Sequence, residues 1–251
     1  MRIKYVGLAA ITASAVLCLG LSAAAQEEVS VTFTGGYTTT FSNGDGDFGA
    51  GIYSATINGA SSPGIICDDY KDEITSGESW NANAYQASSL AGGNINNVLF
   101  SSLGLPGYAE IGTLVTMMFD GATSLSFNGT TVSGVTQSAL SAAIWDITTP
   151  GGISGVTPGT TAYALVQLVE TEFGGNTAAA KAYLATLTNF WILTPNPLTG
   201  VGSGEPQEMW TENLSMPEGG AAFMYLLLAA STSFGAMRFG SRKQAVERVT
   251  A

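Results

Sequence analysis

VSVTFTGGYTTTF, residues 29–41, alternates apolar and hydroxyl-bearing side chains and is rich in β-branched and aromatic residues. That is the pattern of a strand with one buried face. It breaks at SNGDGDFGAG, residues 42–51. GIYSATING and PGIICDDY follow at short spacing, with Asn58-Gly59 as a turn signal between them. ESWNANAYQ alternates again at Trp80, Ala82 and Ala84. The period then changes. GYAEIGTLVTMMF, residues 107–119, puts Ile111, Leu114, Val115 and Met118 on one helical stripe. TQSALSAAIWDIT, residues 136–148, places Ala139, Ala142, Ala143 and Asp146 similarly, beside Leu140, Ile144 and Trp145. TAYALVQLVETEF and NTAAAKAYLATL predict two more helices, divided by Gly174-Gly175, with Asn176 or Thr177 as a cap. NFWILTP and QEMWTE read as closing strands. Strands, then helices, then strands predict an α+β fold. The expectation is a single domain over residues 26–213, with sandwich- or barrel-like strands and a helical subdomain.

The two ends read differently. Arg2 and Lys4 precede an apolar run from Val6 to Leu21, and Ser22-Ala23-Ala24-Ala25 offers small residues for cleavage. Residues 1–25 therefore read as a signal peptide for signal peptidase, cut after Ala25. Leu17 before Cys18 argues against a lipid anchor. At the other end, nineteen residues from Gly219 to Met237 carry no charge. That length suits a membrane-spanning helix. Arg238, Arg242, Lys243 and Arg248 follow it, and such a cluster stays on the cytoplasmic side. Residues 26–213 are thus expected outside the inner membrane and residues 214–251 form a tail, its helix at 219–237 and its basic end at 238–251.

Charge and composition exclude several functions. Between the two ends, Lys71 and Lys181 face seventeen carboxylates, a net charge of −15. Such a domain repels phosphate backbones, so nucleic acid is not an expected partner. The chain has no histidine. Serine or cysteine nucleophiles activated by histidine are therefore ruled out, as are histidine-based metal sites. No cofactor is expected. Paired carboxylates remain as a route to glycoside hydrolysis, although none stands in a defined pattern. Beyond the signal peptide one cysteine, Cys67, remains. An intramolecular disulfide is therefore excluded.

NGDGDFG offers oxygen ligands at Asn43, Asp45 and Asp47, like the start of a calcium loop. The sixth and twelfth places hold Phe48 and Ser54, which favours a plain hairpin turn. Asp68, Asp69 and Asp72 read as a solvated acidic strand end. Asn128-Gly129-Thr130 reads as a turn.

The tail resembles the PEP-CTERM sorting signal of Gram-negative bacteria that make extracellular polysaccharide. Met216, Pro217, Glu218, Gly219 and Gly220 stand for its motif, followed by the apolar helix and by Arg238, Arg242 and Lys243. Gly219 stands where the usual tag has a second proline. The resemblance implies an exosortase-type sorting enzyme as partner, delivery to the cell surface or matrix, and association with extracellular polysaccharide in a biofilm. IICDDY, GESW and AIWDI are similar to a recurring ectodomain of such cargo, and to the thioester domains of Gram-positive surface adhesins. In those adhesins a Cys thiol bonds covalently to a Gln side chain and can capture an amine. Here Ser141 stands at the expected Gln position, and Gln137 lies one helical turn earlier on the same face. The expectation is an exported, non-enzymatic surface protein in which Cys67 and Trp145 belong to the core. The alternative is a covalent adhesin joining Cys67 to Gln137.

Overall fold

The computed structural model describes residues 27–44, 46–70, 74–198 and 206–214, all within one compact unit. Asp45, Asp72, the signal peptide and the whole sorting tail, with Met216–Gly220, the 219–237 helix, Arg238, Arg242 and Lys243, lie outside the described residues. Among the described residues no helix is long and apolar enough to cross a membrane.

The strands predicted first are the strands found. β1 (Glu27–Asn43) and β2 (Gly46–Ile57) form a long antiparallel ribbon, and β3 (Ala60–Ser61) extends β2. β4 (Ile65–Cys67) and β5 (Ser79–Gln86) follow, and β8 (Phe190–Pro195) and β9 (Met209–Glu212) close the chain. The sheet order is β1-β5-β8-β9-β4-β2-β3, and β1 also pairs with β2. That last pairing closes six strands into an antiparallel ring.

Register and alternation give the ring an inside. Val31 lies opposite both Ile57 and Trp80, Phe33 opposite Ala55, and Val29 opposite Ala82. Ala84 faces Leu193, Leu193 faces Met209, and Met209 faces Cys67. Residues opposite one another share a face, so these side chains fill one interior. All are buried. The alanines keep that interior narrow, as a small barrel requires.

The other face of the same strands carries Ile66, Tyr85, Ile192 and Trp210, which join the helical core. The helices are α1 (Ala87–Leu90), α2 (Gly104–Asp120), α3 (Gln137–Thr148), α4 (Thr161–Phe173) and α5 (Thr177–Leu184). The side chains of Thr136, Thr160 and Asn176 cap α3, α4 and α5 by accepting from Ala139, Tyr163 and Ala179 N–H groups. Gly112 of α2 lets the sheet approach. A Cβ there would stand 2.8 Å from Leu187 and 3.5 Å from Trp210. A hairpin that the sequence shows only as a turn, β6 (Ser124–Phe127) with β7 (Thr130–Ser133), joins α2 to α3. Asn128 at φ 49° and Gly129 at φ 82° make its two-residue turn. Phe127 packs edge-on against Phe173 of α4.

The β1–β2 ribbon is fastened to α3 at Gly51. The Gly51 N–H donates to Ser141 Oγ at 2.8 Å. Thr38 Oγ1 accepts from Ile52 N at 2.9 Å and donates to Gln137 Oε1. Gly51 has φ +84°, and a Cβ there would collide with Thr38 Oγ1 and lie 2.9 Å from Gln137 Oε1. The left-handed backbone alone costs a side chain about 1–2 kcal/mol. Gly51→Ala should therefore lower the melting temperature by at least about 2–8 °C, at the 2–4 °C per kcal/mol usual for a domain of this size. Thermal denaturation followed by circular dichroism checks it. An unchanged midpoint would show that the ribbon is not held at this point.

Candidate functional site

β4 ends at Cys67, and β9 begins at Met209, its partner in the ladder. Two residues beyond each, on the inner face, stand Asp69 and Gln207. The pairing continues past the strand ends, where the Asp68 N–H reaches Glu208 O at 3.4 Å. This register brings Cys67 Sγ within 2.9 Å of Gln207 Oε1. The thiol also lies 2.8 Å from the Asp69 carbonyl oxygen. That same oxygen accepts from Gln207 Nε2 at 3.4 Å. Cys67 is 3% exposed and Gln207 4%. Burial, above all, pushes the thiol pKa well up, and the acidic neighbours Asp68 and Asp69 act in the same direction. The group is therefore a neutral thiol held against a primary amide.

Helix α3 fixes the strand end from outside the ring. Trp145 Nε1 donates to the Cys67 carbonyl oxygen at 3.2 Å, and Thr148 Oγ1 donates to the Asp68 carbonyl at 2.7 Å. AIWDIT is thus a clamp on the backbone that carries the cysteine. Trp145 also packs against Tyr70, with ring centroids 5.5 Å apart. Cys67 and Gln207 line a cavity of about 300 Å³. Its walls are aromatic: Phe33, Tyr37, Phe48, Tyr53, Tyr70 and Trp145. Tyr37 is 54% exposed. Asp47 and Asp69 also line the cavity, and among the described residues no basic side chain does.

The outer face at the same register holds a second arrangement. Glu208 Oε2 accepts from Leu99 N at 2.8 Å and Thr194 Oγ1 at 2.5 Å, and Oε1 accepts from Tyr108 OH at 2.6 Å. Three donors mark it as the ionised member of a pair. Asp68, beside it, accepts from Trp210 Nε1 at 2.9 Å through Oδ2. Its Oδ1 receives no donor. Burial first, then the Glu208 charge, raise the Asp68 pKa well above the usual carboxylate range. Burial also raises Glu208, and its hydrogen bonds oppose that shift. Two ionised carboxylates cannot share a dry site, so Asp68 holds the proton. Asp68, Asp69 and Glu208 are all buried, so Asp68 and Asp69 do not form the solvated strand end that the sequence predicts. The pairing of β4 with β9 draws Asp68 and Glu208 under α2 and turns Asp69 towards the cavity.

The other residues singled out from sequence separate. Gln137 does not meet the cysteine: its side-chain oxygen is bonded to Thr38. Ser141 accepts from Gly51. Asn43 and Asp47 flank the tip of the β1–β2 ribbon, opposite Gly46 and Ser42, and Asn43 Nδ2 donates to Tyr70 OH at 3.4 Å. Among the described residues no three acids or cysteines gather to hold a metal ion. In the sequence Gln207 reads only as part of a closing strand. Its neighbour relationship to Cys67 depends on strand order, which local periodicity does not carry.

No protein-family model, curated protein or solved structure matches this chain. The buried acid pair sets a pH dependence. A carboxyl whose folded pKa is raised binds its proton more tightly folded than unfolded, so stability falls as pH rises from about 4 towards the folded value. One such proton changes stability by about 1.4 kcal/mol per pH unit across that window. Asp68→Asn supplies a permanent donor for Glu208 and an acceptor for Trp210. It should remove about that much slope from a urea-denaturation series between about pH 5 and pH 7, where the Asp68 term falls. A slope equal to the wild type would mean that Asp68 is ionised in the native protein.

Proposed function

We propose that this chain is an exported surface or matrix protein whose domain forms an internal thioester between Cys67 and Gln207. The observation that carries this reading is the 2.9 Å contact between Cys67 Sγ and the Gln207 side-chain oxygen. A thiol and a primary amide, both buried, face one another at the bottom of an aromatic cavity. In the step, Cys67 Sγ bonds to Gln207 Cδ and the Cδ–Nε2 bond breaks. The thiol proton goes to the departing nitrogen, which leaves as ammonia. The Asp69 carbonyl oxygen lies within reach of both the thiol and Nε2, so the proton has a short path. Holding the reactants in contact replaces an improbable encounter in solution.

The product is an acyl donor. A primary amine entering the cavity would attack Cδ, form an amide at Gln207, and return a proton to Cys67 sulfur. The domain acts once per chain, as an attachment device and not as an enzyme. Removal of bulk water by Phe33, Tyr53 and Trp145 would slow competing hydrolysis. The pairing is with Gln207 and not Gln137, whose oxygen is committed to the Thr38 bond.

Export rests on the signal-peptide pattern of residues 1–25 and on the PEP-CTERM-like tail at 214–251. The matrix polysaccharide is the expected surroundings, and amine-bearing components of it, or of neighbouring proteins, are the expected targets. No cofactor takes part in the reading.

Intact-mass measurement tests the bond. The wild-type chain should be lighter than its sequence mass by one ammonia. Cys67→Ala and Gln207→Ala should each restore the full mass, and Gln137→Ala should keep the loss. Methylamine should add to Gln207 and expose one titratable thiol. An unmodified mass together with a reactive thiol in the untreated chain would sink the thioester. Sorting is tested by deleting residues 216–251: surface and matrix amounts should drop, and equal amounts would end that part of the reading.

A further inference from the structure

A second cavity, of about 330 Å³, opens among α2, α3 and α4. Leu103, Pro106, Ile147 and Val166 give it apolar walls, and Glu110, Asp146 and Glu170 line it together. Glu110 is 8% exposed. It has no hydrogen-bond or ion-pair partner among the described residues. Burial, then the charge of Glu170, push its pKa up to about 7. Asp146 Oδ1 accepts from Gly151 N at 3.1 Å, and Glu170 Oε2 accepts from Gln167 Nε2 at 3.2 Å. The only lysine or arginine among the described residues is Lys181, which does not line the cavity. The groove therefore holds a nearly buried carboxylate with no cation beside it among the described residues.

The cavity has the size of a small-molecule site, with apolar walls and a few converging polar groups. A displaced carboxyl pKa in such a cleft is a further mark of a binding site. The carboxylates are not gathered closely enough for a metal ion. We propose that this groove binds an aliphatic ammonium, with one nitrogen on Glu110 and its methylenes along Leu103, Pro106 and Val166. In a diamine the second nitrogen reaches the Glu170 side of the groove. The ligand is either a free polyamine or a lysine side chain of another polypeptide, which present the same chemistry. A bound cation replaces the proton on Glu110, so binding and proton release are linked.

Calorimetric titration of the full-length chain carrying Cys67→Ala tests the proposal, since that chain cannot capture an amine covalently. Titration with 1,5-diaminopentane at pH 8 should show one saturable site. Glu110→Gln should weaken it at least tenfold. Affinity should fall towards tenfold per pH unit below about pH 7, as protons compete for Glu110. Val166→Trp, which fills the groove and leaves Glu110 in place, should abolish binding and serves if Glu110→Gln disturbs folding. Binding of Nα-acetyl-lysine-N-methylamide with the same Glu110 dependence assigns the site to a polypeptide lysine. Binding of the diamine alone assigns it to a polyamine. Absence of saturable binding, indifference to both substitutions, or equal binding of pentan-1-ol overturns the proposal. None of these results bears on the thioester, whose mass signature is read on the chain that retains Cys67.

Discussion

The antiparallel pairing of β4 with β9 is the constraint on which the rest depends. It is only three residue pairs long, from Ile65 opposite Thr211 to Cys67 opposite Met209. Its continuation brings Asp68 to Glu208 on one face and Asp69 to Gln207 on the other. Because side chains alternate across a strand, one register serves two purposes. It sets a thiol against an amide inside the ring, and it buries a shared proton beneath the helices. A slip of one residue would exchange the two faces. It would send the carboxylates into the barrel and the cysteine under α2. The proton-sharing acids thus act as a register lock, because their three donors on Glu208 and the indole of Trp210 meet them in one alignment only.

Such a lock is costly in isolation. A buried carboxylate is unfavourable unless its hydrogen bonds are made. Here Tyr108, Thr194 and the Leu99 N–H supply them to Glu208. The compensation comes from three different elements, so the pair also ties α2, β8 and the segment before α2 to the β4–β9 seam. Helix α3 holds the same seam by its backbone, through Trp145 and Thr148. The backbone that carries the cysteine is thereby held from two sides, by β9 and by α3.

Much of this architecture was legible in the chain. The alternation of β1 and β5 and the 3.6-residue stripe of α2 depend on local pattern, and the structure has them where the pattern puts them; α3 also forms where expected, but Ala139 and Asp146 of its stripe are only half-buried, and Leu140, Ile144 and Ile147 carry its buried side. The α+β class followed from their order. The short helix α1 and the β6–β7 hairpin were not read. Their segments are brief, and in the largely exposed stretch Ser124–Ser133 only Leu125, Phe127 and Val132 are apolar. The pairing of Cys67 with Gln207 was hidden for a different reason. The two are 140 residues apart, and the helical motif at Thr136–Thr148 draws attention to Gln137. In the structure Gln137 and Ser141 of that motif bond to the β1–β2 ribbon. Likewise the acids of IICDDY look solvated in sequence, because nothing local announces that β9 sets Glu208 beside Asp68 and Gln207 opposite Asp69.

The return of β2 to β1 has one more consequence. An open sheet presents unsatisfied backbone groups at its margin, and another chain can add to them. A closed ring offers no such margin around most of its circumference. Molecules of this kind, crowded shoulder to shoulder, would not zip into fibrils through their principal sheet. Cohesion between neighbours is left to side-chain chemistry, which can be admitted through a chosen opening and refused elsewhere.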